Sequence, residues 1–378
     1  MSLSDPLGWF AGFERPLRVL PRWGAALVLF GAIGALVWSS VAVSRYAQFD
    51  AVQKRETVEQ REGRSDVDLY ARINARMSEG QDYYTAALAE QRADNYPTRP
   101  FVTVRLPTMA WGALLWGERG WLFLAITLLG ANLLAWIAAP PRATLIERIA
   151  VGLLIVACGI GATYERVGLV HDLVAGLLLS LALALYRPSR WWPALIAVAL
   201  ALAIREIALP FVLLWVAFAA SQRRWRELGA LGTLLALFAI VMAFHAWNVA
   251  EARLPGDPVS PGWQGLHGPQ IVLNSLIKLT PLLLLQPAVA APLALLPMLG
   301  WSAVGGRQGV FALVWFAGFG LGMALFARAN NHYWVLLILP AYAAGIAFVP
   351  RALADLARAL RGPTRSAASS AAVAPRSI

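Results

Sequence analysis

The chain has 378 residues, 59% of them hydrophobic and 14% charged, with a mean hydropathy of +0.60. A soluble domain carries about 25% charged residues, so this composition excludes an ordinary soluble α/β enzyme. The net charge of +11 comes mainly from arginines in short loops, not from basic faces interleaved with aromatics, which argues against a nucleic-acid partner.

The apolar runs are continuous and Leu/Ala-rich, a pattern of membrane helices and not of the alternating strands of a barrel. The chain therefore reads as an all-α polytopic membrane protein. About ten spans are expected, at 23–43, 119–139, 149–163, 170–186, 191–205, 207–221, 228–247, 280–301, 308–327 and 333–350. The first apolar stretch exceeds the 7–15 residues of a signal-peptide core and is expected to stay as an anchor. The next segment, 44–118, holds most of the acidic residues. Within it, Tyr70, Ile73 and Met77 fall at helical spacing opposite polar residues, which predicts an amphipathic interfacial helix over 67–79. A second is expected over 82–93, and a proline-marked extended stretch follows from Tyr96 through Pro107. Cys158 lies alone in an apolar run, so no disulfide is expected.

Arginine marks every second connection: Arg15, Arg18 and Arg22, then Arg142 and Arg148, Arg187 and Arg190, Arg223, Arg224 and Arg226, Arg307, and finally Arg351, Arg358, Arg361 and Arg365. Basic loops stay cytoplasmic, so both termini are expected inside, with 1–22 and 351–378 as cytoplasmic segments around a 23–350 membrane domain. The Ala/Ser/Pro-rich end, 363–378, is expected to be disordered. The opposite face collects short polar connections: Tyr164-Glu165-Arg166 leading to His171-Asp172, the tight Arg205-Glu206 turn, the run from Arg328 to Trp334, and a longer loop at 248–279. Charge inside a span costs about 2.5–3.5 kcal/mol. Its collection at one end points to a site at the outer interface.

These residues carry a resemblance. A first span is followed by a large outer loop that opens on the acidic pair Asp66-Val67-Asp68. The segment continues through Met77, Gly80, Tyr83 and Tyr84 to Tyr96-Pro97 and Arg99-Pro100. Arg205-Glu206 and Asn331-His332-Tyr333 then lie at the outer ends of later spans. This layout resembles the GT-C superfamily of polytopic glycosyltransferases. The acidic pair is separated by one residue here, where many relatives have adjacent Asp-Glu, and both carboxylates stay open as the base. The resemblance implies a GT-C-like bundle of about ten transmembrane helices, with interfacial helices in a large first extracytoplasmic loop. It implies a bacterial cytoplasmic membrane, a polyprenyl-phosphate-linked sugar as donor, an envelope glycan, lipid or protein as acceptor, and inversion at the sugar.

Such chemistry needs a carboxylate to take the acceptor's proton and cations to offset the departing phosphate. Asp66 and Asp68 are the candidate bases, although Ser65-x-x-Asp68 also reads as a capping box. Arg205, Arg99, Arg105, His332 and Tyr333 are the candidate phosphate ligands. Against this, Arg205-Glu206 also reads as a structural ion pair, Arg99 and Arg105 as snorkelling residues, and His332 and Tyr333 as interfacial belt residues. His171, Asp172, Glu206, Tyr83 and Asn331 are placed on the acceptor or sugar, while Asp172 also reads as a helix cap. No cofactor is expected. A metal held by His171, Asp172 and the acidic pair is the weaker reading, because no helical His spacing supports it. A transporter or lipid flippase is the alternative from another class; it predicts ionisable groups near the midplane.

Overall fold

A computed structural model of the chain describes residues 12–60, 65–139 and 143–362. Arg142 and the 363–378 segment expected to be disordered lie outside the described residues. Among the described residues the architecture is helical without strands, and one isolated backbone bridge joins Arg99 to Val259. Five helical segments are long and apolar enough to cross a membrane, and four shorter apolar helices of 10–17 residues accompany them. This fits an α-helical membrane protein.

Helix α1 spans Arg22–Gln60, well past the expected end at 43. The apolar stretch stops there, but 44–60 contains no Gly or Pro, so nothing breaks the helix. The outer segment forms α2 (Asp66–Ser78) and α3 (Tyr83–Ala93), close to the predicted bounds. Helix α2 buries Leu69, Ile73 and Met77. Helix α4 spans Thr108–Ala138 with a break at Gly117, whose φ of 70° demands glycine. The expected start at 119 is the portion beyond that break.

The bundle continues through α5 (Leu145–Gly159), α6 (His171–Leu185), α7 (Trp192–Ile204), α8 (Leu209–Ser221) and α9 (Trp225–Glu251). After the short α10 (Gln270–Lys278) come α11 (Pro287–Ser302) and α12 (Gly306–Phe326). The run expected as a span at 333–350 is not an α-helix. It forms two 3₁₀ segments, Ala329–Leu337 and Ala343–Phe348. Pro340, lying between them, offers no N–H to a helical ladder, and such backbone is tolerated at membrane depth where protein surrounds it. Residues from Val335 to Gly345 are all buried. The described start of the segment expected as a tail, 351–362, continues α13 (Val349–Arg361), which packs on α1 and on the turn at Pro16–Val19. Arg15 donates to the fully buried Asp355 at 2.9 Å, and Arg351 pairs with Glu147 at 2.5 Å.

Helix α6 is the central element, buried over nearly its whole length. At its middle, Gly176 lies so close to the Leu336 carbonyl that an added methyl would occupy the same space. Gly176→Ala is expected to lower stability by about 1–3 kcal/mol, read as an earlier thermal transition in detergent; a variant melting with the parent would disprove this close approach. By contrast, α1 exposes Trp23, Leu27, Phe30 and Val37, and α9 exposes Leu237, Ile240, Val241 and Trp247. Apolar faces this large are not left in water.

Candidate active site

Successive helices alternate direction, so the starts of α6 and α8 and the end of α7 meet at one end of the bundle. These three helices are short, with 15, 13 and 13 residues. At 1.5 Å per residue they reach about 20–22 Å, against a hydrocarbon core of about 30 Å. His171, Asp172, Arg205 and Glu206 stand at that end of the bundle. Helix α2 lies over α4 and the 167–169 turn beside it.

Arg205 caps the C-terminus of α7 and is 1% exposed. Its Nε donates to Asp172 Oδ1 at 2.9 Å, and its Nη1 to Glu206 Oε1 at 2.6 Å. The expected ion pair is thus present, with Asp172 as a second acceptor. These bonds engage two of five guanidinium donors.

Arg105 is held differently. Its Nε donates to the Tyr70 hydroxyl at 2.9 Å and its Nη2 to the Tyr333 hydroxyl at 3.1 Å. The Tyr83 hydroxyl donates to the Arg105 carbonyl at 2.6 Å. Among the described residues no carboxylate forms a contact ion pair with Arg105: its hydrogen bonds go to neutral phenols, while Asp172 and Glu206 act on its charge from farther away. Burial pushes the Tyr70 phenol well above its ordinary value, with Arg105 opposing and Asp66 adding to the shift; Tyr70 therefore stays protonated. Tyr333 is in turn contacted by Asn331 Nδ2 at 3.4 Å, while Asn331 Oδ1 accepts from the Arg328 backbone at 3.0 Å.

The acidic pair opens α2 as the capping pattern predicts. The Ser65 hydroxyl accepts from the Asp68 N–H at 3.3 Å, and the Asp68 carboxylate accepts from the Ser65 N–H at 3.3 Å. Arg166 also donates to Asp68 at 3.1 Å. The Ser65 hydroxyl first, and Arg166 second, hold the Asp68 carboxyl below its ordinary 3.8. The sign follows: its stabilising contribution is complete above 3.8 and is lost as the pH falls through the lowered value. Arg166→Ala is expected to move the acid edge of the stability profile upward toward 3.8; an unmoved edge in pH-dependent melting would show that Arg166 contributes nothing. Asp66 accepts a short hydrogen bond from the Tyr96 hydroxyl.

Between α2, α3, α4 and α6 lies a small, water-sized cavity lined by Tyr70, Asn74, Tyr83, Met109 and His171. His171 is 6% exposed, its Nδ1 has no hydrogen-bond partner, and its ring lies 4.8 Å from that of Tyr70. The structure thus joins Arg105, Tyr83, Tyr333 and Asn331 in one network, and places Arg205, Asp172, Glu206 and His171 beside it. Arg99 is not joined to it by any contact: its side chain is exposed, and its backbone carbonyl accepts from Ser260 at 2.7 Å. His332 is half-buried, its ring 5.8 Å from that of Tyr333. Sequence reasoning gave no role to Tyr70, Tyr96, Arg166 or Arg328, whose Nε is buried without a hydrogen bond. The available signal for Tyr70 was a hydroxyl on an otherwise apolar helix face. Among the described residues no three His, Cys, Asp or Glu side chains converge to hold a metal. Comparison of the chain with family models, with curated proteins and with solved structures yields no match.

Proposed function

We propose that this chain is an inverting, lipid-linked glycosyltransferase of the GT-C type in a bacterial cytoplasmic membrane. Ten passes, namely α1, α4 to α9, α11, α12 and the 329–348 segment, would carry it across with both termini inside and the Arg105 and Arg205 cluster facing out. The observation that carries this reading is Arg105, a half-buried guanidinium held by two phenols and making no contact ion pair among the described residues. A cation kept in place this way suits a phosphate. The donor is a polyprenyl monophosphate sugar; the acceptor is an envelope glycan, lipid or protein.

In the proposed step the acceptor oxygen bonds to the anomeric carbon as its proton passes to Asp66. The bond from that carbon to the phosphate oxygen breaks, and its electron pair leaves with the polyprenyl phosphate. Arg105 and Arg205 offset the charge that develops there. One displacement inverts the anomeric centre, where a double displacement requires a carboxylate nucleophile close by. Asp66 suits the base better than Asp68, which is held in its ionised form by the cap and Arg166 and is the weaker proton acceptor. The transporter alternative predicts ionisable groups at mid-bundle. There, between α4 and α6, the buried polar contacts are neutral ones: Asn132 to the Leu177 carbonyl at 3.0 Å, and Trp136 to Ser180 at 2.9 Å.

The test is binding and transfer with a panel of polyprenyl-phosphate sugars on the purified protein in nanodiscs. One panel member is expected to bind and to donate its sugar with inversion. Binding of none removes the reading and brings the transporter forward.

A further inference from the structure

Arg105 stands on a stretch that is neither helix nor strand. After the short turn at Phe101–Thr103, Val104 is extended, with φ of −86° and ψ of 130°, and the next helix begins at Thr108. Such a backbone has no ladder to occupy its carbonyls, and buried carbonyls need partners. Three consecutive ones are taken by side-chain donors. Gln91 Nε2 donates to the Thr103 carbonyl at 3.2 Å, His245 Nε2 to the Val104 carbonyl at 3.2 Å, and the Tyr83 hydroxyl to the Arg105 carbonyl at 2.6 Å. Gln91 and Tyr83 belong to α3. His245 belongs to α9, which supplies none of the residues placed in the site above.

His245 is 1% exposed, and its partners define where its hydrogen sits. A carbonyl only accepts, so Nε2 carries the ring hydrogen, and Nδ1 accepts from the Tyr84 hydroxyl at 3.3 Å. The ring also packs against Tyr84 and Phe101, with centroids 5.6 and 6.0 Å away. Packing of that kind would be met by any aromatic side chain at this place. What a phenylalanine lacks is the donor, and without it the carbonyl of Val104, a residue 2% exposed, is left unpaired.

The far end of Arg105 is held by Tyr70 and Tyr333. With its own carbonyl and the two before it also engaged, the residue is confined from its backbone to its guanidinium. A cation that already sits where an anion arrives loses less freedom on binding. We infer that His245 is a positioning residue for Arg105: through the Val104 carbonyl it fixes the backbone from which the guanidinium reaches an anion. The consequence for donor binding rests on the function proposed above, whereas the confinement of Arg105 does not.

The test compares His245→Phe, which keeps a ring but not the donor, with His245→Gln, whose amide N–H stands in for Nε2. The full chain in nanodiscs is treated with phenylglyoxal, which adds to guanidinium groups that come free of their partners. Adducts are mapped by mass spectrometry, with the exposed Arg119 as internal reference. His245→Phe is expected to raise the rate of Arg105 modification about 5–10-fold, the loss of one hydrogen bond read as a larger population of the loosened segment. Arg119 is expected to react as in the parent, and His245→Gln to stay near the parent at both positions. Binding of a short-chain polyprenyl phosphate is titrated on the same samples and is expected to weaken about 5–10-fold in His245→Phe alone. A parent that binds no polyprenyl phosphate, with Arg105 modification still rising in His245→Phe, supports the positioning role and counts against the proposed function. Unchanged Arg105 modification in His245→Phe, or an equal rise in His245→Phe and His245→Gln, confines His245 to packing α9 and overturns the inference. If the variants do not fold, nitrogen NMR of the parent decides: a His245 ring with the hydrogen on Nε2 and a bare Nδ1 supports the inference, and the opposite tautomer overturns it.

Discussion

Arg205→Ala is expected to abolish donor binding and to destabilise the protein together, and the two effects can be separated. Asp172 is 5% exposed and accepts from Arg205 at 2.9 Å. Removing the guanidinium leaves that carboxylate buried without its cation, a loss of about 3–5 kcal/mol. An inactive Arg205→Ala protein alone therefore says little about chemistry. The informative variant is the double change Arg205→Met with Asp172→Leu, which removes both charges and fills the space with apolar side chains. Replacing a buried ion pair in this way is often neutral or stabilising, so the double variant is expected to melt near the parent. If Arg205 also binds the phosphate, donor affinity stays about 10–100-fold weaker in this refolded background, the loss of one charge-assisted hydrogen bond. Melting curves and donor titrations on the same samples decide the matter. A double variant that is stable and binds donor like the parent confines Arg205 to holding α6 and α7 together. Arg205→Lys refines the result: it keeps the charge but cannot reach Asp172 and Glu206 with a planar fork.

The elements legible in the sequence are those set by local rules. The Ser65-x-x-Asp68 spacing identifies a helix start because capping is decided within four residues, and the reciprocal bonds form as expected. Apolar runs locate the cores of the long helices for the same reason. Three boundaries fail, two because the edge of an apolar run is not the end of a helix and one because tertiary packing decides. Helix α1 runs on to Gln60 because loss of hydrophobicity does not by itself end a helix. Helix α4 begins at Thr108 because Gly117 breaks it without ending it. The 329–348 segment is apolar enough to read as a span, yet it is threaded as 3₁₀ turns whose stretch from Val335 to Gly345 is buried, beside Gly176 and Gly300.

The candidate site was legible as an inventory but not as a network. Arg105 meets Tyr333 across 228 positions and Tyr70 across 35. No spacing rule connects residues so far apart, and Tyr70 was visible only as one more large residue on a buried helix face. The charges at one end of the chain's loops predicted where polar chemistry collects. Which arginine would be paired with carboxylates and which left for a ligand depends on the short helices α6 to α8, whose ends bring Asp172 and Glu206 to Arg205 and not to Arg105.

That division of labour makes Asp66 the sharper test of mechanism. Asp66→Asn is expected to leave donor binding within a few-fold of the parent and to cut transfer about 10²–10⁴-fold, the usual contribution of a positioned general base. Asparagine keeps the shape, remains compatible with the first turn of α2, and can still accept from the Tyr96 hydroxyl. What it loses is the capacity to take a proton. Asp68→Asn serves as the comparison. It weakens the capping box and the Arg166 contact, at about 0.5–2 kcal/mol, and is expected to lower the melting temperature more than the rate. Single-turnover transfer with saturating donor isolates the chemical step from binding. A rate lost in Asp66→Asn and largely kept in Asp68→Asn assigns the base. The reverse pattern moves the role to Asp68 and makes Arg166 the group that must release it. Full transfer in both variants removes the carboxylate mechanism, and the acceptor's proton would then have to leave by another route, with His171 Nδ1, buried and unbonded in the adjoining cavity, the next group to replace.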